Sequence, residues 1–354
     1  MQGYRGKWHF TETIDGVTVI RTWIFVPRSR GAVARLLNYF SFVATSCLSL
    51  LRQPAADYLF CESPPLFLGI TAVAVSKWKN MKLIFNVSDL WPESAEKLGF
   101  VRNRWILYLA YRLEGWIYRN AYLVSGQTRG IVSNINQRFP NVKTLWYPNG
   151  IDVDRFRNTG VRENWRNRWG VTGDEFVVLY AGVIGHAQGL EIVIRAATRL
   201  KERPVRFVLV GDGPEKEKLQ SMVSGSQLVN VLMIPSVEKG KIPSLIESCD
   251  ACLVPLRKLE LFKGAVPSKL FEPLAIGKPI LLGVEGESYD LFIREAKSGL
   301  AYEPENGDDL ARQIQYLMDN PEERIRLGRQ GKEYIMQHYP RERLHEKLLA
   351  ALDA

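Results

Sequence analysis

Two apolar runs that stop at glycines constrain this chain more than any other feature. Phe176-Val177-Val178-Leu179-Tyr180 leads into Ala181-Gly182-Val183-Ile184-Gly185-His186-Ala187-Gln188-Gly189. Val208-Leu209-Val210 leads into Gly211-Asp212-Gly213-Pro214. A helix-forming segment follows each run. A continuous apolar strand that turns through glycine into a helix is the repeating unit of a doubly wound, mostly parallel sheet. Such turns stand at the ligand edge of the sheet, where glycine lets the backbone approach a phosphate or a base.

The same alternation runs along the whole chain. Residues 16–26 read as a strand ended by Pro27, residues 32–51 as a long apolar helix, and residues 58–61 as a short strand. A helix over 66–78, a strand over 82–87, a helix over 103–118 and strands over 122–125 and 142–147 follow. The apolar centre of the 32–51 helix, about 16 residues, is shorter than the roughly 20 needed to span a bilayer. A second α/β unit begins at Phe176 and repeats the pattern to about residue 317. Between the two units Pro148-Asn149-Gly150-Ile151-Asp152 is a turn-rich crossover, so the reading is two domains, 1–150 and 151–334. Residues 340–352 read as a further helix after a proline break.

With 354 residues, 46% apolar and 24% charged, the chain can build two full cores. Its net charge of +9 is unevenly placed, because residues 1–150 hold 18 Lys and Arg against 8 Asp and Glu. The basic excess sits in the first half and predicts an anionic partner there. Helix 103–118 mixes arginine with aromatics, which suits an anionic membrane surface as well as a solvated basic face. With the apolar 32–51 helix, it predicts peripheral membrane association. No nucleic-acid module is recognisable in this half. Four cysteines make no disulfide framework, and Cys249 and Cys252 lack a second pair for zinc, so they read as core thiols. Met1 is followed by polar and charged residues, which predicts a cytoplasmic chain.

The densest chemistry lies at Pro267-Ser268-Lys269-Leu270-Phe271-Glu272, continuing to Ala275-Ile276-Gly277-Lys278-Pro279. A loop from Gly264 enters a short apolar helix. The N-terminus of a helix offers unpaired N–H groups and a positive dipole end, which suit a diphosphate. Lys269 adds charge, and Glu272 can accept hydrogen bonds from two neighbouring sugar hydroxyls. Pro273 is unusual inside a helix and predicts a kink. Together these residues have the chemistry of a nucleotide-sugar site.

On these motifs, with Asn86-Val87-Ser88-Asp89-Leu90-Trp91-Pro92-Glu93-Ser94, Tyr147-Pro148-Asn149-Gly150-Ile151-Asp152 and Cys249-Asp250-Ala251-Cys252-Leu253-Val254-Pro255-Leu256, the chain resembles the family 4 retaining glycosyltransferases of the GT-B type. The likeness is to the branch that builds bacterial capsule, O-antigen and colanic acid. It implies two Rossmann-like domains facing across a cleft, with residues 335–354 packing back on the first. It also implies transfer from a nucleoside-diphosphate sugar, taken as UDP-linked, to a lipid-diphosphate-linked acceptor at the inner face of the plasma membrane. Gly3-Tyr4-Arg5-Gly6 is similar to a segment that follows the family's first βα unit, so the first domain is expected to lack that unit.

The implied donor site comprises Gly182, Gly185, His186, Gln188, Gly211, Gly213, Gly264, Ala265, Ser268, Lys269 and Glu272. Glu272 matches the second glutamate of the family's Glu-x7-Glu motif and would bind the ribose. Gly264 stands where the first would be, which leaves the sugar-facing contact to backbone N–H groups around Gly264 and Ala265 or to Lys263. His186 and Gln188 occupy the stretch where the family often places an arginine and a lysine. Lys269 becomes the main cation. Asp89, at the carboxyl end of a strand, would take the acceptor's proton or cap the next helix, with Glu93 as a second carboxylate. Asp152-Val153-Asp154 spells a metal-binding Asp-x-Asp, but in a crossover, so no metal is expected. A sugar-nucleotide epimerase of the same architecture and an inactive partner subunit are the rival readings.

Overall fold

A computed structural model describes residues 8–27, 32–157, 163–173 and 175–353. Gly3 to Gly6 thus lies outside the described residues. The chain divides into two compact units, 1–147 and 148–354.

The first unit opens with a hairpin, β1 (His9–Ile14) paired antiparallel to β2 (Val17–Thr22). The single strand expected over 16–26 is therefore corrected: residue 16 is in a turn. Asp15 and Gly16 have φ of 50° and 81°, and a two-residue Asp-Gly turn with both angles positive matches the twist of a hairpin. Helix Ala32–Arg52 follows. β3 (Tyr58–Ser63), β4 (Lys82–Val87), β5 (Leu123–Gly126) and β6 (Thr144–Trp146) form a parallel sheet in the order β3-β4-β5-β6. Helices Leu68–Trp78, Arg104–Asn120 and Arg129–Arg138 connect them. Asn103 caps the second of these, accepting from the N–H groups of Trp105 and Ile106. The core gathers Leu83, Phe85, Val87, Val124, Ile117 and Tyr118. Among the described residues no helix is long and apolar enough to cross a membrane.

The second unit is a six-stranded parallel sheet of β7 (Phe176–Ala181), β8 (Val205–Val210), β9 (Val231–Ile234), β10 (Ala251–Pro255), β11 (Ile280–Gly283) and β12 (Gly299–Ala301). The order is β12-β11-β10-β7-β8-β9. Counted from β7, this is the doubly wound order whose direction reverses between the first and fourth strands, and ligands collect at that reversal. Both faces are covered. Phe176, Val178 and Tyr180 point into one core with Val193, Leu209 and Leu310. Val177 and Leu179 point into another with Val208, Leu245, Cys249 and Cys252. The two thiols are buried and free, with sulfurs 3.4 Å apart.

Pro273 is the third residue of helix Phe271–Ile276, in its first turn, where an N–H has no obligatory helical acceptor. The expected kink does not follow from it. The helix closes on Gly277 at φ 85°, whose N–H donates to Leu274 O at 2.9 Å while Lys278 N–H donates to Pro273 O at 2.9 Å. That pair of bonds satisfies the last carbonyls before Pro279 ends the turn.

The first unit holds an ion pair whose carboxylate is buried. Glu114 is fully buried in helix Arg104–Asn120 and takes a two-pronged contact from Arg138, one prong of which is 3.1 Å from Nη1 to Oε1. Burial pushes the Glu114 carboxyl up, and Arg138 offsets only part of that rise. Removing one partner of a buried pair leaves the other charge uncompensated, at a cost of about 3–5 kcal/mol. Arg138→Met should therefore lower the urea midpoint of the first unit, and Glu114→Leu with Arg138→Met should recover most of the loss. An unchanged midpoint in the single variant would show that the pair contributes nothing.

Candidate active site

A cavity of about 690 Å³ opens within the second unit at the carboxyl ends of β7 and β8. Two of its walls are bare backbone. Gly182 follows β7 and Gly211 follows β8, held by Gly182 N–H to Val210 O at 3.0 Å and Gly211 N–H to Ile234 O at 3.0 Å. A Cβ on Gly211 would lie 1.9 Å from Gly182 O, and its φ is +154°, so only glycine fits this crossing of two strand ends. A third wall is the turn Ser268–Leu270 and the first turn of helix Phe271–Ile276, which bring Ser268, Lys269 and Glu272 to the cavity. The lining also includes Asn149 to Asp152, Phe156, Val183, Gln188, Asp212, Ser236, Val237, Lys239, Ile242 and Arg341.

Lys269 is the most enclosed cation of this site. The residue is half-buried, but its ammonium is enclosed, and that desolvation pushes its pKa down from 10.5 to about 8. Nζ donates to Tyr180 Oη at 2.9 Å and stands 4.3 Å from the centre of the Tyr180 ring. Tyr180 itself is fully buried, and its hydroxyl donates to Val183 O. The helix is only six residues long, so its dipole is small, and the cationic side chains on the lining are Lys269, Lys239 and Arg341. Glu272 lines the same cavity and makes no side-chain hydrogen bond or ion pair among the described residues.

The cavity thus brings together Gly182, Gln188, Gly211, Ser268, Lys269 and Glu272. It does not include Gly185, His186, Gly213, Gly264 or Ala265 on its lining. His186 lies in the turn His186–Gln188, and its carbonyl accepts from Arg257 Nε at 2.7 Å. That arginine is in turn held by Glu191 and Glu305. Gly213 packs its backbone against Ile184. The Ala265 N–H expected to meet the sugar already donates to Phe262 O at 3.0 Å, and Lys263 is paired with Glu260 at 2.7 Å. Gly264 is different. A Cβ there would meet nothing within 4 Å, so the missing glutamate leaves open space. Asp152 lines the cavity, while Asp154 lies in helix Val153–Arg157. Among the described residues no three His, Cys, Asp or Glu side chains gather as metal ligands.

In the first unit Asp89 follows β4 and accepts from the Ser94 hydroxyl, so its carboxylate bonds a side chain and not the backbone N–H groups of helix Glu93–Lys97. Glu93 pairs with Lys97 at 2.6 Å and accepts from Asn134 Nδ2 at 3.3 Å. The sheet also carries a polar row that sequence reasoning missed. Glu62, Asn86 and Ser125 are register partners across β3, β4 and β5. Ser125 Oγ donates to Asn86 Oδ1 at 2.6 Å, Asn86 Nδ2 to Glu62 Oε2 at 2.6 Å, and Ser88 to the other Glu62 oxygen. The available signal was a polar residue near the end of each of three otherwise apolar strands.

Comparison with known proteins bears on the family and the fold. Residues 2–150 match the Glycosyl transferase 4-like domain and residues 161–334 the Glycosyl transferases group 1 domain. The putative colanic acid biosynthesis glycosyl transferase WcaI of Escherichia coli K12 is 26% identical over 321 residues, 88% of this chain and 79% of its own. The probable glycosyltransferase WbjE of Pseudomonas aeruginosa is 23% identical, over 82% of this chain and 72% of its own. Among solved structures, sucrose-phosphate synthase from Thermosynechococcus elongatus superposes with a TM-score of 0.76 at 17% identity, covering 98% of this chain and 87% of that one. HepE of Anabaena, solved with UDP-glucose, gives 0.71 at 17% identity over 91% and 84%. These structures share the GT-B fold. Each half of the chain matches one half of a glycosyltransferase, in order, and the chain belongs to the GT-B glycosyltransferases that join a 4-like domain to a group 1 domain.

Proposed function

We propose that this enzyme moves a sugar from a UDP-linked donor to a lipid-diphosphate-linked saccharide, with retention of configuration, in bacterial surface polysaccharide assembly. One observation carries the donor half. At a single sheet edge the second unit joins bare backbone at Gly182 and Gly211, the enclosed ammonium of Lys269 and the unengaged carboxylate of Glu272. Backbone and ammonium suit a diphosphate, and a carboxylate one turn away suits a ribose diol. When the glycosidic C–O bond breaks, negative charge grows on the departing diphosphate, and Lys269 opposes it in a site of low polarity. This needs no metal. HepE solved with UDP and with UDP-glucose supports a nucleotide-sugar, and the colanic acid relative supports the polysaccharide setting. In the first unit Asp89 and the Glu62 row offer carboxylates to acceptor hydroxyls.

The acceptor's lipid is supported by helix Arg104–Asn120. Trp105, Leu109 and Ile106 are 77%, 62% and 54% exposed, beside exposed Arg104, Arg112 and Arg119. Apolar side chains ringed by arginine fit the interface of an anionic leaflet.

Glu272→Ala and Lys269→Met should each weaken UDP binding by roughly 1.5–3 kcal/mol, measured by calorimetry with EDTA present. Unchanged affinity in both would remove the site assignment.

Lys269 adds a pH signature. Its folded-state pKa lies below the unfolded value, so its burial penalty is fully present below pH 8 and fades as pH rises towards 10.5. A bound diphosphate favours the ammonium, so binding at pH 9 should take up a proton, seen as buffer-dependent enthalpy, and affinity should fall above pH 8. Lys269→Met should abolish the uptake. Equal enthalpy in all buffers would contradict this.

The protein should also co-sediment with anionic liposomes, with only part of it released by high salt, and Trp105→Ala with Leu109→Ala should remove the salt-resistant part. A wholly soluble protein at low salt would rule the membrane surface out.

A further inference from the structure

We propose that Tyr180 is a positioning residue for donor binding, tying the glycine wall of the cavity to the Lys269 wall through its hydroxyl. The proposal rests on the reading of the cavity as the donor site, and goes beyond it by assigning a residue outside the cavity lining. Tyr180 is the fifth residue of β7 and fully buried, with its ring in the core beside Phe176 and Val178. Phenylalanine would fill that space equally well. A buried hydroxyl is costly unless it is bonded, and this one is bonded twice. It donates to Val183 O in the loop after Gly182, and it accepts from Lys269 Nζ at 2.9 Å. Those two partners are 86 residues apart in sequence, and both line the one cavity.

The ring contributes as well. With Nζ 4.3 Å from its centroid, the aromatic face stabilises the ammonium electrostatically while shielding it from water. Among the described residues Tyr180 is the only hydrogen-bond partner of Lys269. Without the hydroxyl, a flexible four-carbon stem would have nothing to fix its end, and ordering it would fall on the nucleotide. Gly182 lies within the span the hydroxyl bridges, with Nζ 3.3 Å from where its Cβ would stand. The phenol therefore sets both the position of the cation and the conformation of the backbone that faces the phosphates.

The test is a double-mutant cycle on nucleotide affinity, with UDP, ADP, GDP and dTDP as probes. Tyr180→Phe should melt close to the parent and bind the preferred diphosphate on the order of 10-fold more weakly. Lys269→Met should lose at least as much. In the double variant the Tyr180→Phe change should add almost nothing, because its effect passes through Lys269. Additive losses would mean that Tyr180 acts independently, and an unchanged affinity in Tyr180→Phe with a clear loss in Lys269→Met would overturn the proposal alone. If the parent protein binds none of the four probes, the donor-site reading falls, and this proposal with it.

Discussion

The second unit is organised around an ammonium group taken out of water. Lys269 lies at the carboxyl end of β7, beside Tyr180 and Gly182, and burial pushes its pKa down to about 8. A cation there is tolerable because a phenol oxygen and an aromatic face receive it. The glycines have the same logic. Side chains at Gly182 or Gly211 would fill the space between the strand ends, and the Gly211 backbone comes so near Gly182 that no Cβ fits. Charge and access are therefore set by the same crossing of β7 and β8.

The first unit presents another kind of edge. Its cations lie mainly on exposed helix faces, whereas its best-organised polar group is a carboxylate. Three parallel strands spend buried hydrogen-bonding capacity, at Asn86 and Ser125, to orient Glu62. A row of bonded polar groups in an otherwise apolar sheet costs stability relative to aliphatic packing, so its orientation is the property to explain. In the proposed reading, that orientation offers the acceptor's hydroxyls a fixed hydrogen-bond acceptor.

Much of this was legible from residue order. Apolar runs ending in Gly182 and Gly211 specify strand-turn-helix units whatever the tertiary contacts, and the two parallel sheets follow from them. The crossover at Pro148 was legible because several turn formers sit together. What escaped depends on register or on distant partners. Glu62, Asn86 and Ser125 are separated by two whole helical crossovers, and only strand alignment makes them a row. Tyr180 read as one more apolar position because the ring does pack in the core, while its hydroxyl meets a residue 89 positions away. The hairpin was missed although Asp15-Gly16 is a turn signal, because His9 to Ile14 is rich in polar residues and buries no side chain. Ala265 failed for a simpler reason: its N–H closes a local turn.

The most direct test of this account is a crystal structure of the protein with UDP. The account predicts the diphosphate against the backbone at Gly182 and within hydrogen-bond reach of Lys269 Nζ, with the ribose hydroxyls on Glu272. A nucleotide bound elsewhere, or a diphosphate that leaves Lys269 facing solvent, would contradict it.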